Sequence, residues 1–318
     1  MVFPIAGGTQ DTSYEISNSL RFNEPDGAHL SRTPSSAGNR KTWTFSCWIK
    51  RSGLQADVGD FQAFFTAGSG SNRDEFFWEA SNGHYDKLAW YGNYGGTAYG
   101  VRTSSVFRDV SAWYHIVWVG DTTQGTEANR LKLYINGSQV TSFAAENYPA
   151  QDYASQWNEN SLVFNVGGTA TNDGNHIKGT FCEFAFIDGQ QLDQTSFGEF
   201  DEDTPTVFKP ISLSDLTFGN NGFFLEFKES GSSANSSGIG ADTSGNNRHH
   251  SVTNIAATDQ RTDTCTNNFA TYNALLSQTA GVDGRHGSWN GQLAEGNLSS
   301  GTAVDNYNNQ FSTFGLTS

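Results

Sequence analysis

The sequence predicts an all-β protein, a two-sheet antiparallel sandwich followed by a loop-rich C-terminal extension. Three observations predict it. Short apolar runs alternate with polar residues at period two, the mark of a strand with one buried face. Gly, Asn, Asp, Ser or Pro closes each run, which favours many short strands joined by turns. The core-forming residues are aromatic: 24 Phe, 11 Tyr and 8 Trp make up 14% of a chain that is only 36% hydrophobic, so large rings supply the burial in a thin core.

Residues 1–17 are polar, contain Gly and show no sustained period. Such a segment buries no core alone and reads as an attachment arm ordered by a neighbour, or as an undocked tail. SLRFNEPDGAHLS gives a short strand, a turn at Pro25-Asp26-Gly27 and a resumed strand. In TWTFSCWIKRS, Trp43, Phe45, Cys47 and Ile49 fall on one side and Thr44, Ser46, Trp48 and Lys50 on the other, leaving Trp48 as a large ring on the wetter face. Further strands are read at FQAFFTAG, EFFWEAS, KLAWYGN, WYHIVWVGD, LKLYING, SLVFNVGG and GTFCEFAFIDGQQL. Asn136-Gly137 predicts a type I′ hairpin, because both central residues of that turn need φ > 0. The acidic stretch QTSFGEFDEDTPTVF closes a sandwich over residues 18–205. Residues 206–318 form the extension, with one strong strand at 222–228, a Ser/Gly-rich loop and room for the start of a second β domain.

With 33 acidic against 18 basic residues and a net charge of −15, the chain's own field opposes a phosphate backbone, so no nucleic-acid partner is expected. No apolar run approaches the roughly 20 residues of a membrane helix, and MVFPIAGGTQDTSYE lacks the basic-then-apolar order of a secretory leader. Cys47, Cys182 and Cys265 are an odd number in a long chain and define no disulfide framework.

Three pieces, TWTFSCWIKRS, AWYHIVWVGDTTQGTEANRLKLYINGSQV and FNVGGTATNDGNHIKGTFCEFAFIDGQQL, together resemble the concanavalin A/laminin-G-like family over about residues 18–200. The later segments GFFLEFKES, DTSGNNRHHSVTNI and DQRTDTCTNNFATYN are similar to those of a version met in marine bacteriophages. The resemblance implies a jelly-roll topology, carbohydrate or cell-surface binding, sometimes calcium, and association with a phage particle. The expected function is therefore a non-enzymatic virion protein, a tail or head fibre component at the particle surface. Its partners would be other virion proteins, held through the N-terminal arm, and a host-surface glycan. Oligomerisation, for instance as a trimer, would give weak sugar sites avidity. The rivals are a purely structural capsid decoration or tail-assembly protein, and a glycan depolymerase.

Enzymes on this sandwich set Glu-x-Asp-x-Glu along one strand, so that carboxylates flank a glycosidic bond. The nearest run here, Glu199-Phe200-Asp201-Glu202-Asp203, breaks the alternation and reads as a Gly/Pro-bounded loop, so no catalysis is expected. His249 and His250 are adjacent and face opposite ways on an extended chain, which excludes a shared metal. Two oxygen-rich turns hold Asp173 and Asn175, and Asp242 and Asn246. Their donors suit calcium, while Asx turns use the same residues without metal, and both readings stand. In HYDKLAWYGNYGG, Asp86, Tyr91, Asn93 and Tyr94 are the candidate glycan contacts: sugar C–H faces stack on rings, and amides and carboxylates take the hydroxyls. The alternative is that these rings are cross-strand pairs over the core residues Leu88 and Trp90.

Overall fold

The alternation read in the sequence becomes two packed sheets in the computed structural model, which describes residues 14–54, 61–80, 83–169 and 175–268 and a backbone pairing of Leu293–Ala294 with Ser299–Ser300. The strands of the body are β1 (Ser19–Phe22), β2 (His29–Arg32), β3 (Thr42–Arg51), β4 (Gln62–Ser69), β5 (Asn72–Trp78), β6 (Lys87–Tyr94), β7 (Thr97–Val106), β8 (Trp113–Asp121), β9 (Leu131–Ile135), β10 (Ser138–Gln139), β11 (Phe143–Asn147), β12 (Phe164–Val166), β13 (Gly179–Asp188), β14 (Gly198–Phe200), β15 (Phe208–Pro210), β16 (Phe223–Leu225), β17 (Ser251–Thr253) and β18 (Gln260–Arg261). Sheet A runs β10-β9-β8-β3-β13-β1-β18, with β16 also on β13, and sheet B runs β11-β7-β6-β5-β4-β12-β2-β17. β1 and β2, separated by one turn in sequence, enter different sheets. The Asn136-Gly137 hairpin forms as expected, with φ of 48° and 77°.

Rings fill the space between the sheets. Phe45 of β3, Phe65 of β4, Phe76 of β5 and Trp118 of β8 are fully buried. Trp157, from the loop before β12, stacks on Phe65 at 4.6 Å and on Phe76 at 5.1 Å.

A third layer covers the outer face of sheet A and explains Trp48. Its indole is 4% exposed, 4.7 Å from the His115 ring and 6.3 Å from Phe208 of β15. Around it pack Ile16, Trp113, Cys182, Tyr14 and Cys265. The Lys50 ammonium, on the same face, is held by Asp263 and Asn268 at 2.9 and 2.7 Å. The two ends of the described body meet here, where the Ile16 N–H donates to Thr266 Oγ1 at 3.0 Å.

The boundary drawn at residue 205 is therefore corrected. β16 pairs with β13, β17 with β2 and β18 with β1, so the extension supplies strands to both sheets. Its strong strand is confined to Phe223–Leu225, because Phe227 takes φ +55° and turns the chain out of the sheet. Of the arm, Tyr14 and Ile16 lie against sheet A, while residues 1–13 lie outside the described residues.

Two buried carboxyl groups tie loops to this frame. Glu183, at a bulge in β13 with φ +48°, is 3% exposed, and burial pushes its pKa up to about 8 against the hydrogen bond from Tyr14. Asp74 of β5 accepts from the Gln156 N–H at 2.5 Å, and burial pushes its pKa up to about 7. Both folded values exceed the unfolded ones of about 3.9 for Asp and 4.3 for Glu. The folded state thus keeps protons that the unfolded state releases, and the stability this confers is complete below about pH 4 and lost as the pH rises through 7 and 8. We expect the wild-type Tm to fall relative to that of an Asp74→Asn, Glu183→Gln double variant as the pH rises from 5 to 9, the buried His115 and His250, whose pKa values burial lowers to about 3, contributing alike in both. A double variant with the wild-type pH dependence would refute the assignment.

Candidate functional site

On the outer face of sheet B, the cross-strand register builds a small lattice of side chains. Arg73 of β5, Asn93 of β6 and Ala98 of β7 form one row; Glu75, Tyr91 and Gly100 the next; Phe77, Ala89 and Arg102 the third. These positions face outward because their neighbours Asp74, Phe76 and Trp78, and Leu88 and Trp90, are buried between the sheets. The β6–β7 hairpin turns tightly through Gly95 and Gly96, with φ of 59° and 86°.

Tyr91 is half-buried at the centre of this lattice. The Arg73 guanidinium lies 4.8 Å from its ring centre, and Asn93 Nδ2 donates to its hydroxyl at 2.8 Å. The other amide atom of Asn93 is buried without a hydrogen-bond partner. On the flank opposite Arg73, β7 contributes only Gly100, where an added Cβ would meet nothing closer than the Trp90 carbonyl at 3.6 Å. Glu75 pairs with Arg73 at 3.0 Å, and its pKa is raised by burial against the lowering effect of that arginine. Arg102 donates twice to Glu79 Oε2, at 3.1 and 2.8 Å. Beyond, Phe61 packs edge-on to Phe77 at 5.2 Å. Toward β4 and β12 the face is closed, as Thr66 Oγ1 donates to the Gly168 carbonyl at 3.0 Å.

The expected glycan residues are thus divided. Tyr91 and Asn93 stand together on the outer face. Tyr94, 52% exposed, follows the parity of Trp90 and lies past the end of the core, with the Arg40 guanidinium 5.8 Å from its ring centre. Asp86 belongs to neither place and is corrected: it is 4% exposed, and its two oxygens take Arg51 Nη2 and Arg108 Nε, each at 2.9 Å. Arg73, Glu75, Gly100 and Arg102 were not singled out in the sequence. The alternation of NRDEFFW, which turns Arg73, Glu75 and Phe77 to one side, is the signal that could have found them.

The cation expectation changes as well. Asp242 Oδ1 accepts from the N–H groups of Phe224 and Ser244, both at 2.9 Å, and Oδ2 from that of Arg248 at 2.7 Å. Asn246 Nδ2 donates to the carbonyls of Gly219 and Gly222. This turn spends its polar atoms on fastening the loop to the start of β16, an Asx-type arrangement rather than a ligand set. Asn175 is 2% exposed, with its carbonyl accepting from Ala63; Asp173 lies outside the described residues. Among the described residues no group of three or more His, Cys, Asp or Glu is placed to hold a metal ion. Glu199, read as a loop residue, is corrected to the middle of β14 opposite Lys209, and Asp201 opens the loop that follows; Lys209 Nζ sits 3.7 and 3.5 Å from their carboxylates.

Comparison with solved structures gives likenesses of fold. A putative carbohydrate binding protein from Bacteroides ovatus is similar at 12% identity with a TM-score of 0.48, over 78% of this chain and 60% of that one. The heptameric SAP-like pentraxin of Limulus polyphemus is similar at 13% and 0.39, over 57% and 80%. Tailspike protein 2 of an Escherichia coli O157:H7 bacteriophage is similar at 13% and 0.35, over 60% and 28%, so this chain spans well under a third of that protein. No curated protein matches the sequence. Residues 25–194, just over half of the chain, match the Laminin_G_3 family. With the two-sheet antiparallel architecture, that match makes the chain a member of the concanavalin A-like lectin/glucanases superfamily.

Proposed function

We propose that this chain is a non-catalytic glycan-binding module and that the sugar sits on the outer face of sheet B around Tyr91. The observation that carries the proposal is the half-exposed Tyr91 ring, flanked by an Arg–carboxylate pair and an amide on one side and by the bare backbone of Gly100 on the other. A ring supplies a stacking surface for sugar C–H groups, and the flanking groups supply donors and acceptors for hydroxyls. The outer face of sheet A offers no such surface where residues 14–16, 197–218 and 263–268 pack over it.

The carboxylates favour binding over hydrolysis. Glu75 of β5 and Glu79, one residue past its end, are four residues apart, roughly 13 Å along an extended chain. Each is held by an arginine. A retaining pair needs about 5 to 5.5 Å between carboxyl groups and an inverting pair about 6.5 to 9.5 Å.

We place this module in a phage virion, as a tail or head fibre component that meets host-surface glycans; the segments similar to marine phage proteins support that reading. The test is binding of the purified, labelled protein to immobilised glycans and to host cells, with a chelator arm for the calcium expected at the turn holding Asp173 and Asn175. We expect Tyr91→Ala to keep the Tm within a few degrees and to lose binding. A folded Tyr91→Ala that binds as well as wild type would move the weight to the purely structural virion role.

A further inference from the structure

We propose that the Tyr91 face selects neutral, hydroxyl-rich sugar residues and rejects acidic ones, an inference that rests on the glycan-binding reading above. The charges on the lattice cancel in pairs, Arg73 with Glu75 at 3.0 Å and Arg102 with Glu79 at 2.8 Å, so each guanidinium beside Tyr91 already has a carboxylate. Lys87 shares the outward parity of β6 but lies four residues from Tyr91, roughly 13 Å along the strand.

A sugar carboxylate or sulfate at Arg73 would meet a guanidinium whose charge Glu75 already neutralises, and could gain that charge in full only by drawing Arg73 away from Glu75. Glu75 is 6% exposed, and a carboxylate stripped of its partner at that depth is strongly destabilised. Hydroxyls need no such exchange. They donate to the remaining lone pairs of Glu75 and accept from the free N–H groups of Arg73, leaving the pair intact. The Glu75 carboxylate, ionised in its pair with Arg73, repels a second negative charge placed beside it. The net charge of −15 acts in the same sense at longer range. The stacking surface itself is indifferent to charge, and the flank it leaves open lies over Gly100.

The experiment compares the full chain on immobilised mannan and dextran, as neutral probes, with alginate and heparin, as acidic ones, at low and high salt. Wild type is run beside Gly100→Leu, a variant that walls off the ring without straining the backbone. We expect binding to a neutral polymer that changes less than about twofold between roughly 0.05 and 0.5 M salt, because no ion pair forms with the ligand. Gly100→Leu should keep the wild-type Tm and bind at least about tenfold more weakly. Preferential, salt-sensitive binding to alginate or heparin that Gly100→Leu abolishes would overturn the neutral class and leave the site standing. Binding that Gly100→Leu leaves unchanged would overturn the site itself, and binding to none of the four polymers would overturn the glycan-binding reading with it.

Discussion

Asp86→Ala is expected to lower the unfolding free energy by about 3–5 kcal/mol, as large as the loss of a core ring. The aspartate sits at φ +62° and joins Arg51 to Arg108. Arg51 is the vulnerable partner. Its side chain is 0% exposed, with its guanidinium 4.8 Å from the Trp78 ring centre and Nη1 donating to the Phe107 carbonyl at 2.6 Å. Truncating Asp86 leaves the buried Arg51 guanidinium without that carboxylate. Asp86→Asn keeps the shape and removes the charge, and should be nearly as damaging. Urea unfolding at pH 7 measures both, and a loss under about 1 kcal/mol for either would show that another group compensates Arg51.

Trp90→Ala is expected to cost about 3–5 kcal/mol through the cavity it leaves. The indole is 2% exposed, with the Tyr153 ring edge-on at 6.3 Å. Tyr94→Ala, at an exposed hairpin end, should stay within about 0.5 kcal/mol. Tyr91→Ala loses the stacked guanidinium and should cost no more than about 1 kcal/mol. One strand thus carries three aromatic residues with three different expected outcomes. Thermal unfolding of the three variants separates them, and a Tyr91 loss as large as that of Trp90 would mean that the outer face is a packed layer rather than a binding surface.

The strands with clear alternation were legible: β3, β4, β6 and β8 lie where TWTFSCWIKRS, FQAFFTAG, KLAWYGN and WYHIVWVGD placed them. β7 was not, because TAYGVRTSSV has one large aliphatic residue in its interior and reads as a polar loop. It is a strand because β6 and β11 pair with it on both sides, a tertiary constraint that local pattern does not carry. The Ser/Gly-rich composition after residue 229 hid β17 and β18 in the same way. For the site, alternation correctly put Tyr91 outward and Trp90 inward. What it could not supply was partnership: Asp86 and Asp242 read as free carboxylates until the folded chain brings arginines to one and backbone N–H groups to the other.

The meeting of the two ends of the body at Ile16 and Thr266 has a mechanical consequence. β1 and β18 are antiparallel neighbours joined at only two positions, Ser19 with Arg261 and Leu20 with Gln260. A pull applied at residues 14 and 268 would load that short ladder from its open end, breaking its contacts one after another as a zipper parts rather than shearing them together. The remaining strands of the two sheets would stand beside the line of force instead of within it. Under tension the seam would yield first, while the face around Tyr91, on the far sheet, would keep its shape.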